Sequence, residues 1–222
     1  MILLNLGINM FYLTHTPWWL RKIYPTCTWH IPVKDKTVFL TFDDGPHTEA
    51  TPFVLQQLNQ YNAKATFFCI GKNVVRHPEI FEQIQTAGHT VSNHTMNHAN
   101  GWKTTDDDYL KEIMEADALI HSNLFRPPYG RIKKSQIRIL QTSEIRHQKS
   151  QIIMWSVLSG DFDTEIDGEK CFQNVIKSIK PGSIIVFHDS QKAMPRLQYA
   201  LPKVLEWLKE NGYESKAISN GA

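Results

Sequence analysis

The feature that most constrains this fold is a regular alternation of strand-like and helix-like runs from about residue 37 to the end of the chain. The strand-like runs are short and apolar, whereas the helix-like runs repeat apolar residues every three or four positions. No internal repeat, low-complexity tract or long linker interrupts the alternation. This pattern is typical of an α/β domain built around a parallel sheet.

The predicted elements add up to roughly seven βα units. We predict strands at 37–42, 64–70, 90–92, 151–157 and 183–187, and a short one that ends at Arg126. We predict helices that begin at 51 and 77, and others over 104–122, 133–142, 168–179 and 196–211. This many units in one chain of 222 residues favours a single barrel-like domain. In such a barrel the functional residues lie at the carboxyl ends of the strands.

The charge balance and the cysteines exclude several classes of protein. The chain has 24 basic and 22 acidic residues, and no run of Lys or Arg breaks this balance. We therefore expect no nucleic-acid or anionic-membrane partner, and a neutral or weakly charged substrate fits better. Cys27, Cys69 and Cys171 are odd in number and far apart, which favours packing roles over a disulfide framework or a zinc knuckle.

Residues 1–13 are apolar, but they lack the features of a targeting segment. No Lys or Arg precedes Arg21, and the apolar run is shorter than the ~20 residues needed to cross a bilayer. We therefore predict neither a signal peptide nor a membrane span here. A segment that covers the core, or an extension ahead of a start at Met10, is the better interpretation. Under this interpretation the default location is the cytoplasm.

Polar motifs follow five of the predicted strands, directly or closely. They are Thr-Phe-Asp-Asp-Gly-Pro at 41–46, Asn-His-Thr-Met-Asn-His at 93–98, Phe-Arg-Pro-Pro-Tyr-Gly at 125–130, Gly-Asp-Phe-Asp at 160–163 and Phe-His-Asp-Ser at 187–190. Because the carboxyl ends of parallel strands meet at one mouth of a barrel, we expect these motifs to converge on one site.

His94 and His98 are four residues apart, so one helical turn or a tight loop places both imidazoles on one side. With an Asp from another strand they would complete a three-ligand metal site with open positions. A water held there becomes a nucleophile near neutral pH, and the metal also polarises a carbonyl oxygen. Taken alone, a His pair with this spacing is more often a surface or packing feature, and it gains weight from the other motifs.

Asp43 and Asp44 end an apolar strand rather than link two polar segments. In a loop, such a pair usually forms an Asx turn with a solvated neighbour. At a strand end, adjacent side chains point in different directions, so one carboxylate can bind a metal while the other acts as a base. The spacing alone assigns neither role to either residue.

Arg126 and His188 complete the groups that an amide hydrolase needs. Taken singly, Arg126 is consistent with a surface residue at a rigid turn, and His188 with a capped loop. Amide hydrolysis requires an activated water, a base, an oxyanion donor and an acid that protonates the departing amine. Together the five motifs supply candidates for all four.

In order and identity, these motifs resemble those of the polysaccharide deacetylases with the NodB homology domain, also called carbohydrate esterase family 4. The resemblance covers residues 37–218 and implies a single distorted (β/α) barrel with about seven parallel strands. We expect residues 1–36 to form an N-terminal segment that packs on this barrel.

The resemblance also implies a role for each matching residue. Asp44, His94 and His98 would bind a divalent metal, usually Zn²⁺, with Co²⁺ or Ni²⁺ able to substitute. Asp43 would be the general base, and His188 would be the general acid that protonates the leaving amine.

Three further residues would support these steps. Arg126 would orient the base, and Asp161 would support the acid His188. The backbone N–H of Tyr129 would stabilise the oxyanion, and one such donor is worth on the order of 3 kcal/mol in comparable sites.

The substrate pocket is where the sequence departs from the family. Phe162 stands where many members have Trp, and Val186 stands where many have Leu. Both replacements are apolar, so an acetyl methyl group keeps a hydrophobic seat, but the resemblance does not fix the pocket size or the acyl preference. Pro127 and Pro128 are the other residues that we assign to this pocket.

The implied function is a metal-dependent hydrolase that removes N-acetyl groups from GlcNAc-containing glycans, such as peptidoglycan or chitin-like chains. An O-acetyl esterase on xylan or another glycan would use the same site, as would a deacylase of a small intracellular acylated sugar or amide. A non-catalytic carbohydrate-binding protein and a non-haem iron oxygenase fit less well, since Asp43 and His188 suit hydrolysis. Peptidoglycan and chitin polymers lie outside the cytoplasm, so an intracellular substrate or unconventional export stays open.

Overall fold

A curved parallel sheet forms the centre of the molecule, and the computed structural model describes residues 5–6, 9–10, 12–142 and 150–219. The strands are β1 (Asn5–Leu6), β2 (Asn9–Met10), β3 (Thr37–Asp43), β4 (Ala65–Cys69), β5 (Thr90–Asn93), β6 (Leu124–Phe125), β7 (Gln151–Ile152), β8 (Val157–Leu158), β9 (Ile184–His188) and β10 (Glu214–Ser215). The helices are α1 (Trp18–Ile23), α2 (Ala50–Gln60), α3 (Gly71–Arg76), α4 (Pro78–Thr86), α5 (Asp106–Ile120), α6 (Lys134–Gln141), α7 (Gly168–Ile176) and α8 (Met194–Glu210). A single 3-10 turn covers Pro128–Gly130.

The main sheet has eight strands, with the order β7-β6-β5-β4-β3-β9-β8 and β10 paired beside β3. Every named pair in it is parallel. The strands β7 and β8 lie at the two edges and do not pair with each other in the described part of the chain. The fold is therefore an open, distorted α/β barrel, which confirms the predicted fold class.

Apolar side chains form a core on each face of this sheet. Alternate residues of β3 supply the two cores: Leu40 and Phe42 pack with the surrounding helices, whereas Phe39 belongs to the other core with Phe68 and Phe125. All seven residues of β3 are buried. A strand buried on both faces reads as a continuous apolar run, and this is how β3 was recognised in the sequence.

The described part of the N-terminal segment lies across the gap between β7 and β8. The N–H of Thr28 donates to the carbonyl of Ile152 (2.8 Å), and the N–H of Leu158 donates to the carbonyl of Thr14 (2.8 Å). These bonds pair backbone groups that an exposed sheet edge would leave open. Most of the apolar opening of the chain, at 1–4, 7–8 and 11, lies outside the described residues.

Within the described residues, none of the helices combines the length and the apolar character that a membrane-spanning helix needs. Cys27, Cys69 and Cys171 are all buried and unbonded to one another.

The prediction of one strand over 151–157 is wrong. The chain forms β7 and β8 there, and these two short strands lie at opposite edges of the sheet. Between them, the carbonyls of Ile153 and Met154 accept hydrogen bonds from the guanidinium of Arg126, each at 3.1 Å. Because these carbonyls are turned toward Arg126, the segment leaves the strand ladder after Ile153 and connects the two edges of the sheet.

Other differences are smaller. The elements α3 and β10 were not predicted, and several predicted ends are displaced by a few residues, which is usual for element boundaries. The helix predicted to begin at Thr51 begins at Ala50, and the hydroxyl of Thr51, in the first turn of α2, donates to Asp189. At the far end of the barrel, β10 inserts beside β3, and the N–H of Lys64 donates to the carbonyl of Ser215 (2.9 Å).

Candidate active site

A cleft of about 620 Å³ opens at the carboxyl ends of the strands. This volume lies in the range typical of small-molecule sites. The structure brings to its walls most of the residues predicted for the site, which are Asp43, Asp44, His94, His98, Tyr129, Phe162, Val186 and His188. Arg126 and Asp161 lie fully buried behind this wall.

Asp44, His94 and His98 form a group whose ligand atoms all lie within 4.8 Å of one another. Asp44 Oδ1 is 3.1 Å from His98 Nε2 and 3.7 Å from His94 Nε2. This oxygen is buried and has no aligned hydrogen-bond partner among the described residues. A buried carboxylate oxygen that lies close to two imidazole nitrogens and has no aligned hydrogen-bond partner fits a divalent metal with mixed N and O ligands.

The protonation states of His94 and Asp44 suit metal binding. His94 Nδ1 lies 2.8 Å from the carbonyl oxygen of Arg126. Because a carbonyl only accepts, Nδ1 carries the hydrogen and Nε2 presents its lone pair to Asp44. Burial lowers the pKa of His94 to about 4, so the ring is neutral at pH 7. Burial alone would raise the pKa of Asp44, but the imidazoles around it hold that pKa well below its usual range.

The loops of the site depend on a left-handed backbone at several of these residues. The φ angles are 84° at Asp44, 64° at Thr95, 60° at His98 and 60° at Tyr129. Residues other than glycine rarely adopt such angles unless the surroundings enforce them, and they cluster at functional sites. One enforcing contact is the side-chain amide of Asn73, which donates to the carbonyl of Asp44 (2.7 Å).

Asp43 is held from behind by Arg126. Arg126 Nη1 lies 2.7 Å from Asp43 Oδ1 and 2.7 Å from the hydroxyl of Thr41. The guanidinium also stacks on the ring of Phe68, 4.0 Å from its centroid. This contact uses one carboxylate oxygen and leaves the other to face the cleft.

His188 is held by Asp161 in a two-point contact. Asp161 Oδ1 lies 2.7 Å from His188 Nδ1, and Asp161 Oδ2 accepts the backbone N–H of His188 at 2.7 Å. Burial alone would lower the pKa of His188, but the carboxylate of Asp161 overcomes it and raises that pKa to about 9. At neutral pH the ring is therefore an imidazolium whose Nε2–H is available.

The apolar wall of the cleft includes Phe162 and Val186. The edge of Phe162 meets the ring of His188 at a centroid distance of 5.3 Å, and Phe162 also contacts the ring of Tyr12 in the N-terminal segment, at 5.1 Å. Pro127 and Pro128 are buried and do not line the cleft. Their fixed φ angles shape the turn that carries Tyr129, so they support the wall rather than form it.

Asp189 was not assigned to the site from the sequence, where His188-Asp189 also suited a capped loop. Its side chain is fully buried, with Oδ1 accepting the N–H of Gly45 (3.0 Å) and Oδ2 accepting the hydroxyl of Thr51 (2.5 Å). A Cβ atom at Gly45 would lie 2.0 Å from Oδ2, so only glycine fits there. Asp189 thus ties the end of β9 to the turn after Asp43. The sequence feature that could have placed Asp189 in the site is its position directly after His188.

The cleft can be compared with those of known proteins. The family model for polysaccharide deacetylase matches residues 30–147. A peptidoglycan-N-acetylglucosamine deacetylase of Bacillus cereus is 33% identical over 207 residues, which cover 90% of this chain and 95% of that protein. A chitooligosaccharide deacetylase of Azorhizobium caulinodans is 30% identical over 166 residues, covering 72% of this chain and 76% of that protein.

The solved structures agree. The Bc1960 peptidoglycan N-acetylglucosamine deacetylase, crystallised with 4-naphthalen-1-yl-N-oxidanyl-benzamide, superposes with a TM-score of 0.80 and 30% identity. The match covers 91% of this chain and 95% of that structure. The chain therefore belongs to the polysaccharide deacetylases of carbohydrate esterase family 4, which confirms the resemblance seen in its motifs.

Proposed function

We propose that this protein is a metal-dependent hydrolase that removes N-acetyl groups from GlcNAc-containing glycans. The observation that carries this proposal is that one cleft contains a metal-ligand group, a carboxylate held by an arginine and a histidine held by a carboxylate. The latter two are Asp43 with Arg126 and His188 with Asp161. The names of the relatives, which are deacetylases of peptidoglycan N-acetylglucosamine and of chitooligosaccharides, support the same chemistry.

Asp44, His94 and His98 are the proposed metal ligands, and Zn²⁺ is the proposed ion, with Co²⁺ or Ni²⁺ as substitutes. Two imidazoles and one carboxylate form the ligand set that leaves positions open for a water and a substrate oxygen. When bound, the metal would polarise the acetyl carbonyl and lower the pKa of a water. A hydroxamic acid is a metal chelator, and the Bc1960 structure was solved with such a compound.

Asp43 is the proposed general base. One of its carboxylate oxygens is fixed by Arg126, and the other faces the cleft beside Asp44. That second oxygen takes the proton from the attacking water. Arg126 keeps the carboxylate oriented, so the base does not have to be ordered at the moment of reaction.

His188 is the proposed general acid on the opposite side. Asp161 holds its Nδ1, so Nε2–H points to the cleft and donates its proton to the amine nitrogen as the C–N bond breaks. The backbone N–H of Tyr129 is the proposed donor to the oxyanion. Phe162 and Val186 provide the apolar seat for the acetyl methyl group.

For the domain organisation, we propose that residues 37–218 form the catalytic domain and that residues 1–36 pack on it. The bonds between Thr28 and Ile152 and between Thr14 and Leu158 support this division. The cytoplasmic location stays a prediction.

The experiment compares amide and ester substrates. Metal-stripped protein is given chitotetraose or acetylated xylan, with and without added Zn²⁺ or Co²⁺, and acetate release is measured. We expect metal-dependent release from chitotetraose, and none from the variant Asp43→Asn, which keeps the shape of the side chain. Release from xylan alone would instead favour an O-acetyl esterase. No release from either substrate with any metal would refute the proposal.

A further inference from the structure

Arg196 occupies a position that local rules disfavour for a cation. It lies in the first turn of α8, and this turn contains no acidic residue. The N-terminal end of a helix carries a partial positive charge, so a cation there is repelled. Arg196 is also buried, with 8% of its surface exposed, and burying a charge is unfavourable unless the charged group is well bonded. A residue that breaks two local rules indicates a constraint from the rest of the structure.

The constraint comes from the two backbone carbonyls that Arg196 binds. Its Nε donates to the carbonyl of Asp161 (2.6 Å), and its Nη2 donates to the carbonyl of Lys192. In the described part of the chain, its side chain forms no hydrogen bond to a carboxylate. Arg126 differs, because its guanidinium binds the carboxylate of Asp43 directly. Arg196 therefore fixes the backbone of the site rather than a reacting group.

These two carbonyls belong to the two loops that hold the proposed acid and its partner. Asp161 lies in the loop after β8, whereas Lys192 lies in the loop that follows His188 at the end of β9. Because one guanidinium bonds both loops, it restricts the distance between them. The two bonds between Asp161 and His188, each of 2.7 Å, span the same two loops.

Asp161 depends on Arg196 to keep its place. Its other bonds among the described residues are the two to His188 and one from its own N–H to the hydroxyl of Ser159, at 3.3 Å. The bond to Ser159 stays within one loop, so it does not fix that loop relative to the barrel. The bond to Arg196 instead ties Asp161 to the helix α8. Such ties matter, because a displacement of 1 Å in a catalytic group can cost about 10²-fold in rate.

We propose that Arg196 is a positioning residue that acts through Asp161 and keeps the Nε2–H of His188 aimed at the departing amine. This inference rests on the proposed deacetylase function and adds a residue to it. The guanidinium, the carboxylate and the imidazolium alternate in charge, so each stabilises its neighbour. Arg196 neither lines the cleft nor belongs to the metal-ligand group, so its loss should impair proton donation and leave metal binding intact.

The test compares two leaving groups. An amine must be protonated as it departs, whereas the phenolate of 4-nitrophenyl acetate departs without a proton. The zinc-loaded full chain is given chitotetraose or this ester, and kcat and KM are measured for each. We expect Arg196→Gln to lower kcat on chitotetraose by about 10- to 30-fold with KM unchanged, and to lower the rate on the ester by less than about threefold.

Gln136→Ala is the matched control. Gln136 is the third residue of α6, as Arg196 is of α8, and it is also buried. Its side chain likewise donates to a loop carbonyl, that of Gly101, at 2.9 Å. Its loss removes a comparable bond away from His188, so the ratio of the amide rate to the ester rate should stay that of the wild type. Far-ultraviolet circular dichroism checks the folding of each variant.

A second variant and a spectroscopic measurement complete the test. Arg196→Lys keeps the charge and reaches one carbonyl, so kcat on chitotetraose alone should fall by about threefold, and this variant decides if Arg196→Gln does not fold. If the wild type does not cleave the ester, the proton NMR signal of the hydrogen between His188 Nδ1 and Asp161 decides. It is identified by its absence in His188→Asn, and it should shift or broaden in Arg196→Gln but not in Gln136→Ala.

Equal losses on the amide and the ester, no loss on either, or an unchanged NMR signal would overturn the proposal while leaving the deacetylase function intact. Failure of the wild type to release acetate from chitotetraose, with zinc present, would refute the deacetylase function and this inference with it.

Discussion

The two sides of the cleft contain histidines in opposite chemical states, His94 buried and His188 partly exposed. On one side, His94 turns its Nδ1 to the carbonyl of Arg126, and burial lowers its pKa to about 4. On the other side, His188 turns its Nδ1 to the carboxylate of Asp161, which overcomes burial and raises its pKa to about 9. Both rings keep Nε2 for the cleft.

The difference shows that the partner of Nδ1, more than burial, decides what a histidine can do. A carbonyl dipole fixes the tautomer but adds no charge, so the neutral ring presents a lone pair and suits a metal. A carboxylate stabilises the imidazolium, so the ring presents a proton and suits an acid. A motif that contains a histidine therefore predicts its presence in the site, but the residue from another segment that contacts Nδ1 decides the role.

The largest effect is expected on the side of the cleft that contains His94, which we call the ligand side. His94→Gln removes a ligand nitrogen, so the protein should no longer retain zinc after dialysis, and acetate release should fall by at least about 10³-fold. Zinc content is measured by mass spectrometry, with far-ultraviolet circular dichroism as the control for folding. Full zinc occupancy in this variant would contradict the assignment of His94.

A different outcome is expected on the side of the cleft that contains His188, which we call the acid side. His188→Asn keeps the metal ligands, so zinc content should match the wild type while kcat falls by about 10²- to 10³-fold through loss of the proton donor. The same two assays apply. A variant that loses zinc and activity together would erase the distinction between the two sides.

The next substitution makes the acid side resemble the ligand side. In Asp161→Asn an amide replaces the carboxylate at Nδ1, so the pKa of His188 should fall from its raised value of about 9. The acid form is the active one, and activity is lost as pH rises through this pKa. The alkaline limb of the kcat profile should therefore move to lower pH, with about 10- to 100-fold lower kcat at pH 8. An alkaline limb that stays in place would assign that titration to another group.

The smallest effect is expected for Asp189, which links the end of β9 to the turn after Asp43. Asp189→Ala leaves the N–H of Gly45 and the hydroxyl hydrogen of Thr51 without an acceptor in a buried site, so the free energy of unfolding should fall by about 1–3 kcal/mol. Asp189→Asn keeps one acceptor and one donor and should cost less than about 1 kcal/mol. Urea denaturation at pH 7 compares them. Equal losses in both variants would show that shape, rather than hydrogen bonding, is what Asp189 provides.

The fold was largely predictable because its elements follow from local patterns. The buried strand β3 and the helix α8 can be recognised from apolar periodicity alone. The split of 151–157 could not be predicted in this way, since it depends on Arg126, which is distant in sequence. The two-residue strand β10 is likewise too short to show periodicity, and its pairing with β3 depends on the tertiary fold.

The site was predictable to the extent that polar residues at strand ends stand out from an apolar background. Local pattern does not reveal which groups face each other from different strands, so the tautomer of His94 required coordinates. The contact of Tyr12 with Phe162 is of the same kind, because it joins the N-terminal segment to a loop after β8.

A zinc titration tests the central claim most directly. Zinc is added stepwise to the metal-stripped protein, and the rate of acetate release from a GlcNAc-containing tetrasaccharide is followed at each step. The account predicts a linear rise that ends at one zinc per chain in the wild type, and no rise in His94→Gln. Acetate release that is already complete without metal, or the same rise in both proteins, would contradict it.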